Sequence, residues 1–197
     1  MDDQELAALR ERHAAELQEE RRRAREAEQE FADELDLGIE MDPGAPMPHM
    51  FANGNSVFVL FYLRAPIPAR IIAAGSGYPT GEEAPLALVQ FTGVHAVLFG
   101  GPNDEALNGH RLYGRGLDRY TIHEVRASRW ISEAEHVNSV HPHHQGGWHA
   151  RLRHFVITFH DETLECLSRD VRAETCTSSF PEAVKSTASR MLDWWQR

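Results

Sequence analysis

Seven of the twelve histidines fall between residues 136 and 160: His136, His141, His143, His144, His149, His154 and His160. Imidazole titrates near neutrality and is the commonest metal ligand, so such a cluster points to a metal centre, to acid and base catalysis or to a pH sensor. Each of these requires the rings to converge in space. His154 and His160 are six apart on a strand-like run, which puts them about 20 Å from end to end by strand rise and excludes them as co-ligands of one ion. His141, His143 and His144 approach one another in a loop, with His149 returning after Gly146 and Gly147. If a metal is held, these four are its ligands. The spacing matches neither a zincin helix nor a zinc finger, so a solvated loop of structural histidines is favoured over a metal site, and no cofactor is expected.

A second candidate is the segment 99–117, which carries five glycines straight after a strand. It lacks Gly-Lys-Ser/Thr, and Asp104 and Glu105 stand where a phosphate needs donors, so nucleotide binding is disfavoured. Its side chains His110, Arg111, Tyr113 and Arg115 are nevertheless suited to recognition on a loop held by a rigid sheet. The expected ligand site lies where this loop meets His154, Thr158, His160 and Glu165, and its ligand is small and polar, anionic given Arg111 and Arg115. Cys166 is disfavoured as a nucleophile because a buried thiol without a neighbouring cation stays protonated. No serine lies in a Gly-x-Ser-x-Gly elbow, and the acids Asp161, Glu162 and Glu165 read as solvated side chains of a hairpin tip. The sequence assigns no catalytic residue.

The elements that position these groups follow from periodicity. His154–His160 and Thr163–Arg169 form a hairpin around Asp161-Glu162, with Thr158 opposite Glu165 and His154 opposite Arg169. In that register Phe155, Ile157, Phe159, Leu164 and Cys166 share an apolar face, and His154, Thr158, His160, Glu165 and Arg169 share the other, interrupted by Val156 and Leu167. Ser56–Leu63 is a continuous apolar run that reads as a central strand. Leu86–Phe91 and Val94–Phe99 read as a second hairpin around Thr92-Gly93 after a Gly and Pro loop at 75–85, and Tyr120–Arg126 as a further strand. Ser128 caps a helix to about Asn138 with Trp130, Ile131, Ala134 and Val137 on one stripe. Ser179-Phe180-Pro181-Glu182 is a capping box that opens a last helix with Val184, Ala188, Met191, Leu192 and Trp195 on its stripe.

The amino-terminal residues are set apart by charge. Residues 1–36 hold thirteen of the thirty acids and six of the twenty bases, so most of the net charge of −10 lies there. Gln4 to about Leu35 has no Gly or Pro and is dense in good helix formers, which predicts one long helix. Its sparse apolar positions, among them Leu17, Ala24 and Phe31, do not fill the two seams of a coiled coil, so weak docking is preferred to self-association. Residues 38–55, with three prolines and three glycines, read as a linker or strap.

The expected fold is α+β: a mainly antiparallel sheet of five to six strands with helices on one face, in a single domain over 56–197, preceded by an arm at 1–37. A globally acidic chain disfavours nucleic acid, and no apolar run is long enough for a membrane span, which with two unclustered cysteines points to the cytoplasm. Two functions follow. The favoured one is a non-catalytic binding or interaction domain that recognises a protein partner or small polar ligand, with the helical arm docking a partner or a second copy as a homo-oligomer. The alternative is a small metal-dependent or acid/base enzyme using the His136–His160 cluster with Glu165 or Asp161.

Overall fold

The computed structural model describes residues 3–64 and 83–193; the loop expected over 75–85 lies in large part outside them, as does Trp195. The fold is α+β, with three α-helices and two antiparallel sheets among the described residues. The strands are β1 (Phe31–Glu34), β2 (His49–Ala52), β3 (Ser56–Tyr62), β4 (Glu83–Thr92), β5 (Ala96–Gly100), β6 (Ile122–Arg126), β7 (Arg153–Thr158), β8 (Thr163–Ser168) and β9 (Asp170–Ser179). The helices are α1 (Asp3–Glu26), α2 (Arg129–Asn138) and α3 (Phe180–Asp193). The front sheet has the order β2-β3-β4-β9 and the back sheet β1-β6-β7-β8-β5.

The two sheets pack face to face. Val57, Val59, Phe61, Ala87, Val89 and Phe91 of the front sheet meet Ile122, Phe155, Ile157, Leu164 and Cys166 of the back sheet, with ring pairs Phe61–Phe159 and Phe91–Phe155 at 5.2 and 5.7 Å. The outer face of the front sheet is covered as well: Phe58, Leu60, Tyr62 and Leu86 lie under Phe180 and Ala183 of α3. Every residue of β3 is therefore buried, which explains an apolar run without alternation. Burying each of its large side chains contributes roughly 1.5–3 kcal/mol.

Four sequence expectations change. α1 ends at Glu26, not near Leu35: the chain turns at Glu28, whose φ is +50°, and residues 31–34 pair with β6 instead. Helix propensity gives way there to the burial of Ala32, which has no exposed surface. The 38–55 segment is not merely a linker, since His49–Ala52 pairs with β3. Around the Asp161-Glu162 tip, Thr158 pairs with Thr163 and Val156 with Glu165, a register two residues away from the expected one. A shift of two preserves the faces, so Cys166 still points into the core and His154 away from it. Finally, β4 and β5 are not a hairpin.

They belong to different sheets. β4 pairs with β9 as far as Thr92↔Asp170, and β5 pairs with β8 from Ala96↔Leu167 onward. One two-stranded ribbon thus bends from the front sheet into the back sheet. At the bend the Arg169 amide donates to the Thr92 carbonyl at 2.9 Å and the His95 amide to the Leu167 carbonyl at 2.8 Å. Gly93 has φ +64°, and a Cβ there would stand 2.7 Å from Cδ of Arg169, so the bend excludes a side chain.

Candidate functional site

The outer face of the back sheet carries His123 and Val125 of β6, His154, Val156 and Thr158 of β7, and Thr163, Glu165 and Leu167 of β8. The 101–121 segment folds over this face. Leu107, Leu112 and Leu117 pack on Val125 and Val156, while its polar side chains reach the charged centre. Gly116, at φ +95°, lies so close to β1 that a Cβ would stand 2.2 Å from the Ala32 carbonyl oxygen. Of the two imidazoles that the sequence places away from the core, His154 is covered and His160 is not, and His123, beside Val156, is covered as well: His123 and His154 have no exposed surface.

Glu165 is the hub. Arg111 approaches it with both terminal nitrogens, Nη1 to Oε1 at 3.0 Å and Nη2 to Oε2 at 2.7 Å. His110 Nε2 donates to Oε1 at 3.2 Å and His154 Nε2 to Oε2 at 2.9 Å. Burial alone would raise this carboxyl, but the bonds from His110, His154 and Arg111 outweigh it and hold it well below the usual carboxylate range. The Leu112 amide donates to Nδ1 of His110 at 3.2 Å, so the proton of that ring is on Nε2.

The chain of bonds continues through His154 to Ser128. Nδ1 of His154 lies 2.8 Å from the Ser128 hydroxyl, and the same Oγ accepts the Ile131 amide at 3.2 Å as the cap of α2. With Oγ accepting from Ile131, its own hydrogen is directed at Nδ1. The next amide, that of Arg129, donates at 2.9 Å to Oε1 of Glu30, whose Oε2 accepts Nε of Arg111 at 3.2 Å. Glu30 is 4% exposed. Sequence reasoning identified Ser128 only as a cap and did not single out Glu30.

Of the eight residues expected at a ligand site, His110, Arg111, His154 and Glu165 meet, and they bond to one another. Tyr113 instead lies 3.3 Å from His13 of α1, and Arg115 reaches Glu20 at 3.4 Å. Thr158 donates to the Asp118 carbonyl at 2.8 Å, and His160 bonds Asp161 at the exposed hairpin tip at 2.9 Å. Cys166 is enclosed, and burial pushes its thiol up to about 12, which leaves it protonated.

The histidines of the 139–152 loop lie on the other side of α2. Glu135 holds two of them through different oxygens: Oε1 is 2.9 Å from Nε2 of His144 and Oε2 is 3.0 Å from Nδ1 of His149. His141 and His143 lie beside each other, with ring centroids 5.8 Å apart. Among the described residues no group of three or more His, Cys, Asp or Glu side chains is arranged to hold a metal ion.

This loop, α2 and the bend of the ribbon enclose two adjoining depressions that share Asn138 and His141. One, of about 710 Å³, is walled by Ala96, Trp130, Ala134, Val137, Val140 and Pro142, with His95 and Glu133 at its margins. The other, of about 630 Å³, is more polar than the first and includes His143, His144, Trp148, Arg151 and Arg169. Val137 and Val140 are 70% and 84% exposed, and the buried indole nitrogen of Trp148 has no hydrogen-bond partner among the described residues. An open cleft with one apolar end and one cationic end suits a ligand of matching polarity. No helix among the described residues is long and apolar enough to cross a membrane. Compared with known proteins, the chain matches no family model, no curated protein and no solved structure.

Proposed function

We propose that this domain binds a small amphipathic anion in the cleft between α2 and the 139–152 loop. The observation that carries this reading is the pairing of the two depressions. Trp130, Ala134, Val137 and Val140 offer an apolar wall to solvent, a surface that a chain without a ligand gains nothing by exposing. Arg151 and Arg169 stand across the shared residues in the polar half, a cationic spot on a chain of net charge −10. An anionic head on those guanidiniums and an apolar body against Trp130 uses both halves. Recognition here needs neither a metal nor a nucleophile, in keeping with a buried Cys166 and a Ser128 that serves as the cap of α2.

The test uses 8-anilinonaphthalene-1-sulfonate as probe, because it joins an aromatic body to a sulfonate. Native protein is expected to bind it saturably at one site. Ala134→Arg, which fills the apolar half, should weaken binding by about tenfold, and Arg169→Ala by a smaller factor. Binding that does not saturate, or that Ala134→Arg leaves unchanged, rejects the cleft as the binding site.

A further inference from the structure

Behind the apolar wall lies an arrangement that recognition does not use. Trp130 lines the larger depression and also stands edge-on to His154, ring centroids 5.3 Å apart. His154 in turn joins Ser128 Oγ at 2.8 Å to Glu165 Oε2 at 2.9 Å. A capping serine requires only an amide partner, and Ile131 supplies it. The imidazole and carboxylate behind it are superfluous to the cap. Burying them costs desolvation that well-packed apolar side chains would avoid.

The backbone around Ser128 has a matching form. β6 ends at Arg126, Ala127 takes φ +48° and α2 begins at Arg129, so the serine stands on a sharp turn from strand to helix. In acyl transfer the amide of the residue after such a serine stabilises the oxyanion. Here that amide, Arg129 N–H, is occupied by the Glu30 carboxylate, which Arg111 also grips. A buried carboxylate thus occupies the position of a developing oxyanion, with an amide and a guanidinium already aimed at it.

We propose that Ser128, His154 and Glu165 form a latent acyl-transfer centre for carboxylic esters, held shut by Glu30 on the Arg129 amide. The proposal rests on the cleft reading only for its entrance, past Trp130. With Glu30 withdrawn, Ser128 Oγ attacks the ester carbonyl carbon as its proton passes to Nδ1 of His154, and the carbonyl electron pair moves onto oxygen at the Arg129 amide. Glu165, accepting from Nε2, stabilises the imidazolium. Collapse re-forms the carbonyl and breaks the bond to the alkoxy oxygen, which takes the proton from Nδ1 and leaves as the alcohol. Water, losing a proton to the same nitrogen, then attacks the acyl-serine, and the acid and the free hydroxyl are released.

The test is covalent labelling of the full chain by an alkyl fluorophosphonate, located by peptide mass spectrometry, together with p-nitrophenyl butyrate hydrolysis. Glu30→Ala clears the amide, and Glu30→Gln leaves a neutral acceptor on it. Labelling of Ser128 is expected to rise in the order native, Glu30→Gln, Glu30→Ala, with at least about tenfold between the extremes. Ester hydrolysis should rise in parallel and vanish when Glu30→Ala is combined with Ser128→Asn, which keeps a capping side chain. Glu30→Gln preserves a hydrogen-bonded latch, so the order can be read against native protein even if Glu30→Ala melts early. No Ser128 adduct in a folded Glu30 variant, or hydrolysis that survives Ser128→Asn, overturns the proposal. An absent adduct together with intact sulfonate-dye binding rejects the latent centre and leaves the cleft standing. A Ser128 adduct that forms equally fast with Ala134→Arg added supports the centre and moves its entrance away from the cleft.

Discussion

Imidazoles and carboxylates are concentrated in two regions of this molecule, and the two differ in how far water reaches them. On the outer face of the back sheet, His110, His154 and Glu165 are enclosed and bonded to one another, and Arg111 reaches Glu165 from the partly exposed rim. In the 139–152 loop, His144 and His149 pair with Glu135 at the edge of an open cleft. The same residue types therefore carry different weight. Around His154 and Glu165 each group depends on its neighbours because water cannot replace them; at the cleft the rings are partly exposed, 16% for His144 and 35% for His149, and solvent can take over part of a lost partner's role.

The sharpest test of that difference is to remove one carboxylate or ring from each region. Glu165→Ala leaves two imidazoles and a guanidinium facing a void, and should cost about 3–5 kcal/mol of stability in urea unfolding. His144→Ala, at the cleft, should cost no more than about 1 kcal/mol. Equal losses would erase the distinction. A somewhat smaller loss, on the order of 3 kcal/mol, is expected for Gly116→Ala, because the methyl group meets the Ala32 carbonyl and the backbone of the covering segment must shift. A melting temperature unchanged by that substitution would mean that the cover is not held by β1.

Acid provides a third comparison. Desolvation depresses His123 to about 4 from an ordinary 6.5, assisted by the nearby charge of Arg21. Between those values the unfolded chain binds the proton that the folded chain refuses, so stability falls as pH drops from 6.5 to 4, by at most about 3 kcal/mol. The carboxyl of Glu165 is depressed as well, so its contribution is present above the unfolded carboxylate range and is lost only at lower pH. Unfolding free energies measured from pH 7 to 4 should decline, and His123→Asn should flatten the decline. A flat native profile would show that His123 takes up its proton without unfolding.

The faces of β7 and β8 were legible in the sequence because side-chain parity survives a shift of two residues. The meeting of the 99–117 segment with His154 and Glu165 was legible too, since a loop that leaves a strand carrying His110 and Arg111 is placed to reach polar side chains on the sheet. The sheet change at Gly93 was not, because apolar periodicity says which residues are buried and is silent on which sheet receives them. The early end of α1 was equally hidden: no Gly or Pro marks it, and the strand at 31–34 exists only because β6 is there to pair with it. The cleft depends on that same bend and on the packing of α2 beside it, so it has no local sequence signature at all. Ser128 was visible as a cap, but its second partner lies 26 residues away.

The bent ribbon that joins β4 and β9 to β5 and β8 has a consequence for how the fold comes apart. Because both strands of one ladder run through the bend, neither sheet can melt while the other keeps its full complement of backbone pairs. Loss of structure in one sheet is transmitted through the peptide chain itself, and unfolding should proceed as one cooperative transition in which fluorescence from the cleft tryptophans and backbone circular dichroism change together.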